Sequence, residues 1–135
     1  MKNISVLIVN EKLDHKGIIS NTSFVLGLTA GKELAQETFG PDVVDGDNST
    51  HKYLTNIGHY VRKAGQNKIR TIRKEFLDQN ILVVDYTDDA APADYQAYET
   101  SIKSHKGEEI VYRAIWVYGP EEIVFPKTKN LSSLQ

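Results

Sequence analysis

Cysteine is absent from all 135 residues, which excludes disulfides, thiolate nucleophiles and thiolate metal sites together. Charge of one sign is missing too. Sixteen Lys and Arg stand against 18 Asp and Glu, a formal net charge of −2, so there is no strong overall field to draw in nucleic acid or an anionic membrane. No unbroken apolar stretch approaches the roughly 18 residues that a membrane helix needs. One lysine and then a strand-like run open the chain, without the apolar segment and cleavage site of a secretory signal. A cytoplasmic location is expected. Phosphate loops, dinucleotide glycine patterns, Gly-x-Ser-x-Gly elbows and His-Glu-x-x-His helices are all lacking. His15, His51, His59 and His105 fall in no zinc spacing. A calcium loop opening at Asp42 or Asp45 needs glutamate in twelfth place and finds Tyr53 or Asn56. No metal and no cofactor are expected.

The length suits one domain over residues 1–135. At 40% hydrophobic and 25% charged residues, it is ordinary globular material. Ile4 to Asn10 is nearly continuously apolar, as in a strand covered on both faces. A polar turn from Glu11 to Gly17 leads into a long helix, Ile18 to about Phe39. Phe24, Leu28, Ala35 and Phe39 make its buried stripe, broadened by Ile18, Val25, Leu26 and Thr29. A helix apolar over so much of its girth should be covered on more than one side. Gly27 and Gly31, one turn apart, are read as letting a neighbouring backbone approach closely.

Gly40-Pro41 ends the helix and Asp45-Gly46 marks a turn. His51 to Ile57 and His59 to Lys63 are short strands, placed at the sheet edge. Gln66 to Asn80 is helical, with Ile69, Ile72, Phe76 and Leu77 inward. Ile81 to Tyr86 is a second buried strand. Asp88-Asp89 before Ala90-Ala91-Pro92 reads as the cap of a third helix carrying Tyr95, Tyr98 and Ile102, closed by Gly107. Ile110 to Tyr118 is a third buried strand, and Gly119-Pro120-Glu121-Glu122 opens a last helix that Pro126 shortens. Strands alternating with helices predict an α/β fold over a mostly parallel or mixed sheet of about four strands.

In such folds ligands bind where a loop leaves the carboxyl end of a strand for a helix. The first such corner offers Lys16, with free backbone N–H groups, to a phosphate or carboxylate. A solvated lysine at a plain helix start is the blander alternative. Asn21 can present its amide to a ligand, or bond its own backbone. Asp88 and Asp89 can steer water as well as cap a helix, and Asp85 on a buried strand needs a partner if it faces inward. Arg62, Lys63, Lys68, Arg70, Arg73 and Lys74 crowd one segment. Such a run is more often the wet face of a helix than a nucleic-acid surface.

Three stretches taken together resemble a bacterial family known as domain of unknown function number 2000. They are the first strand with Lys16-Gly17 and Asn21, then Phe39-Gly40-Pro41-Asp42-Val43-Val44-Asp45, then Tyr118-Gly119-Pro120-Glu121-Glu122. The resemblance spans nearly the whole chain and rests on order and spacing. It implies the fold of peptidyl-tRNA hydrolase type II, a three-layer α/β/α sandwich. That hydrolase carries Lys-Gly-Lys-x-x-Ala-Gln-x-x-His at the head of its long helix, and a Gly-Pro turn before an acidic helix start. Here Ile18 replaces the second lysine, Asn21 stands one residue nearer the glycine than the glutamine, and apolar residues near Phe24 and Val25 replace the histidine. The resemblance implies catalytic roles at Lys16, Asn21, Asp88 and Asp89, while the strand-to-helix corner and the strand end make a ligand site of His15, Lys16, Gly17, Asn21 and Asp85 the expectation. Arg62, Lys63, Arg70 and Arg73 would touch tRNA, if tRNA binds. A domain binding a small anionic ligand, with an ester hydrolase as the alternative and a homodimer as a further option, is the expectation carried to the structure.

Overall fold

The computed structural model describes residues 2–34 and 40–134. Its order is β1 (Asn3–Asn10), α1 (Lys16–Glu33), β2 (Val43–Val44), β3 (Thr50–His51), β4 (Gly58–Ala64), α2 (Gln66–Asp78), β5 (Leu82–Thr87), α3 (Tyr95–Lys103), β6 (Tyr112–Pro120), α4 (Glu121–Thr128) and β7 (Ser132–Ser133). Single 3₁₀ turns cover Asp88–Ala90 and Gly107–Glu109. Five strands, where about four were expected, form one mixed sheet in the order β5-β6-β1-β4-β7. Only β1–β4 is parallel; β6 runs antiparallel to both β1 and β5, and β7 to β4. Strands β2 and β3 form a separate hairpin.

The apolar run of β1 is explained by its central place, because both of its faces are covered. Ile4, Val6 and Ile8 join a core with Ile69, Ile72 and Phe76 of α2 and Val124 of α4. Val9 turns the other way, into a smaller cluster with Leu26 of α1, Tyr86 and Ala114. Burying each such aliphatic side chain is worth about 1.5–3 kcal/mol, so β1 and its neighbour β6, both buried over most of their length, anchor the sheet. Helix α2 presents Ile69, Ile72 and Phe76 inward at helical spacing, all at or below 1% exposure. Leu77, expected beside them, is 42% exposed, because it lies one residue round the helix from that stripe.

Several expectations for α1 are corrected. Its buried residues are Thr22, Leu26 and Ala30, while Phe24 and Leu28 are each 65% exposed. Among the described residues the helix packs chiefly on β5 and β6, along one narrow face. A Cβ at Gly27 or Gly31 would meet nothing within 4 Å, so among the described residues neither glycine admits a neighbouring backbone. The rest of the expected helix, residues 35–39, lies outside the described residues. Strand β4 is not a bare edge, since it sits between β1 and the two-residue β7. The expected strand from His51 to Ile57 shrinks to Thr50–His51.

Asp88 and Asp89 do not cap α3. They start the 3₁₀ turn, and Asp94 is the cap, its carboxylate accepting from the Gln96 N–H at 3.0 Å. Gly119 lies in β6 where a Cβ would stand 2.9 Å from Ile81 Cδ1 and 3.2 Å from its Cγ2. Gly119→Ala should therefore lower stability by about 1–2 kcal/mol through overpacking, read as a lower urea midpoint at unchanged slope.

Candidate functional site

Strands β1 and β5 end at the same rim of the sheet, and the start of β6 lies between them. Backbone and side-chain bonds fix this rim. The Asp88 N–H donates to the Val111 carbonyl at 3.0 Å, and Glu11 N–H to Ala64 O at 2.9 Å. Asn10 is buried. Its amide donates to the Tyr112 carbonyl at 2.9 Å and to Gln66 Oε1 at 3.3 Å, while its Oδ1 accepts from Lys12 N–H at 3.0 Å. Gln66 in turn accepts from Tyr112 N–H and donates to Ile110 O. Thus β1, α2 and the beginning of β6 are tied by amides that satisfy one another, as buried polar groups require.

Two adjoining hollows open on this rim. The smaller, about 150 Å³, is lined by Asn10, Lys12, Leu13, Asp88 and Arg113 among others. The larger, about 290 Å³, is lined by Asp88, Asp89, Ser101, His105, Glu109 and Val111. Asp88 and Val111 belong to both, so the two hollows, together the cleft, share a wall. The first β-to-α corner and the end of β5 therefore do share a pocket. Lys12 makes no ion pair among the described residues. Arg113 donates from Nε to Asp88 at 2.9 Å, with its guanidinium 5.3 Å over the Tyr86 ring.

Asp89 is the most buried charge of the cleft, its side chain 4% exposed. One of its oxygens, Oδ1, accepts from Ser101 Oγ at 2.5 Å and pairs with His105 Nδ1 at 2.8 Å. The Ser101 hydroxyl, against the opposing effect of burial and with further help from His105, holds the Asp89 carboxyl below its usual pKa. Ser101 and His105 are four positions apart around α3 and the residues that follow it, which puts them on one side. Tyr98 stands nearby, its phenol pushed above the ordinary value by burial and then by the charges of Asp85 and Asp89.

The residues singled out from sequence fall into groups. Asp88 and Asp89 reach the cleft. His15 is the N-cap of α1, its Nδ1 accepting from Ile18 N–H at 3.2 Å. Lys16, Gly17 and Asn21 are exposed on the first turns of α1 and are not among the residues lining the cleft. Asp85 pairs with Arg73 Nε at 2.9 Å and lines a separate, mainly apolar cavity of about 510 Å³ between α1, β5 and Tyr98. Arg70 donates to the carbonyls of Gly107, Glu108 and Ile110, clamping the approach to β6. Arg62 lies 5.5 Å over Tyr60, and Lys63, next to it on β4, projects to the opposite face. Lys12, Ser101, His105 and Arg113 were not foreseen. The Ser101–His105 spacing was readable; its meeting with Asp89 was not.

A family model described as a protein of unknown function, DUF2000, matches residues 4–135. The chain belongs to the DUF2000 family. No curated protein matches it. Among solved structures, the protein of unknown function Atu0240 from Agrobacterium tumefaciens strain C58 has a similar fold, with a TM-score of 0.87 at 15% identity. That likeness covers 100% of this chain and 99% of the other, so the DUF2000 fold here is shared end to end. Asp42 and Asp45, weighed above as the start of a calcium loop, instead pair with Lys52 and brace the β2–β3 hairpin, respectively. Asp45 accepts from the N–H groups of Asp47 and Ser49 and pairs with His51 at 2.7 Å. Among the described residues of this DUF2000 chain no helix is long and apolar enough to cross a membrane.

Proposed function

We propose that this domain binds a small anionic ligand in the cleft at the carboxyl ends of β1 and β5. The observation that carries the reading is the convergence there of Lys12, which makes no ion pair among the described residues, with Arg113 and the half-exposed His105. Arg113 is already oriented by Asp88, so it meets a ligand without first giving up a free side chain's motion. Lys16 and Asn21, at the head of α1, are proposed to contact the part of the ligand that leaves the cleft. The packing of α2 and α4 on one core and α1 on the other supports a three-layer α/β/α reading, and with it the resemblance to peptidyl-tRNA hydrolase type II. A homodimer is supported by the outward stripe of Phe24 and Leu28. The tRNA reading draws little from α2, whose Arg70 and Arg73 are engaged within the chain.

A thermal-shift screen of phosphate, nucleotides and dicarboxylates tests the anion reading. A ligand at a hundred times its Kd adds about 2.7 kcal/mol to folding stability. Lys12→Ala should weaken that ligand roughly tenfold, consistent with one charge-assisted hydrogen bond of about 1.5–3 kcal/mol. A flat screen retires the proposal. Ester hydrolysis is the second reading, favoured by the carboxylate–imidazole pair on the wall of the same cleft.

A further inference from the structure

We infer that His105 is a general base, oriented by Asp89, for the hydrolysis of esters with an uncharged acyl end. This rests on the cleft being the ligand site, but it uses a pair that the sequence resemblance does not carry. A carboxylate can only accept, so the 2.8 Å contact puts the hydrogen of the neutral ring on Nδ1 and leaves Nε2 as an acceptor. Nε2 has no partner among the described residues, and the ring is 40% exposed on a hollow of about 290 Å³. Asp89 is fixed in turn by the Ser101 hydroxyl. A buried carboxylate, an imidazole held by one nitrogen and an open second nitrogen are the parts that a water-activating pair requires.

The order of contacts excludes the other chemistry that these residue types suggest. In a nucleophilic triad the serine gives its proton to the imidazole. Here Ser101 donates its hydrogen bond to Asp89 instead, so serine and histidine share one carboxylate oxygen and neither activates the other. Water is then the nucleophile. His105 Nε2 takes a proton from water as the water oxygen bonds to the acyl carbon. The bond from that carbon to the leaving oxygen breaks, and the leaving oxygen takes the proton from Nε2, giving a carboxylic acid and an alcohol. Asp88 and Glu109 line the same hollow. An anion on the reacting end would meet like charge there, whereas one at the far end could reach Lys12 and Arg113.

Hydrolysis of p-nitrophenyl acetate by the full chain tests this, with His51→Ala as the control for reaction at an exposed imidazole. His105→Ala should lower kcat/KM at least roughly 100-fold, the low end of what a positioned base contributes, and His51→Ala should leave it unchanged. Asp89 acts through His105: Asp89→Asn should lower kcat at unchanged KM, with part of the loss restored in Asp89→Glu. Ser101→Ala, which frees Asp89 on one side, should lower kcat by less than Asp89→Asn does, where a nucleophile would lose on the order of a million-fold. Circular dichroism melts confirm that each variant is folded at the assay temperature. No turnover by the parent above the His105→Ala level, an effect of His51→Ala equal to that of His105→Ala, or a Ser101→Ala loss as large as that of His105→Ala overturns the inference. Calorimetry with inorganic phosphate separates the two readings. Phosphate binding without hydrolysis overturns the base alone, and His105-dependent hydrolysis without phosphate binding overturns the anion site alone.

Discussion

Phe76→Ala should destabilise the domain by about 3–5 kcal/mol, a large share of the 5–15 kcal/mol that holds most domains folded. Phe76 is completely buried on α2, in the core that also takes Ile4, Val6 and Ile8 from β1 and Ile115 and Val117 from β6. Removing the ring leaves a hole bounded by branched aliphatic side chains on a sheet paired on both sides, so little can move in to fill it. The end of α2 depends on the same residue, since the Gln79 and Ile81 N–H groups both donate to the Phe76 carbonyl, at 3.1 and 2.9 Å. Urea unfolding monitored at Trp116, which is itself nearly buried on β6, gives the number directly. A loss below about 1 kcal/mol would mean that the core around α2 is looser than these contacts indicate.

The second large effect is expected at Asp89, and it should depend on pH. The folded carboxyl titrates below its ordinary value of 3.8, chiefly because Ser101 donates to it. A depressed carboxyl stabilises the fold fully above its unfolded pKa, and that contribution disappears as the pH falls through the folded one. Asp89→Asn should therefore lower stability by about 1.5–3 kcal/mol at pH 7, the range for hydrogen bonds to a charged group. The gap between variant and parent should close as the pH drops below about 4. Unfolding midpoints at pH 7, 5 and 3 check both the size and the sign. A gap that persists undiminished at pH 3 would show that the carboxylate's charge is not what Ser101 and His105 hold.

Where sequence reading succeeded, one periodicity was enough. The apolar run of β1 and the inward stripe Ile69, Ile72 and Phe76 of α2 need a single pattern each, and both are found. It failed where two faces compete. Helix α1 has apolar residues on both sides, and periodicity cannot tell Leu26, which reaches the sheet, from Phe24, which does not. Strand β4, Gly-His-Tyr-Val-Arg-Lys-Ala, looked like an edge because polar residues interrupt it. Its Arg62 and Lys63 reach solvent past the two-residue β7, although β1 pairs with its whole length.

The site was half legible for a related reason. A corner after β1 and acids after β5 follow from the order of elements, but which side chains face each other there depends on tertiary folding. Asn10 ends β1 by bonding across to Tyr112 and Gln66, and the cleft forms around Lys12 and Leu13 rather than around Lys16. His105 is separated from Asp89 by 16 positions. No spacing rule joins them, because α3 lies between and its orientation is set by packing against the turn at Asp88–Ala90.

The position of β1 has a consequence for how the chain is made. This strand is synthesised before either of its neighbours, because its parallel partner is Gly58–Ala64 and its antiparallel one Tyr112–Pro120. A nascent chain that stops short of residue 112 carries a greasy strand with one open side and no lid from α4. The core around β1 therefore closes only once β6 and α4 have been made, and until then Ile4, Val6 and Ile8 stay exposed on the nascent chain.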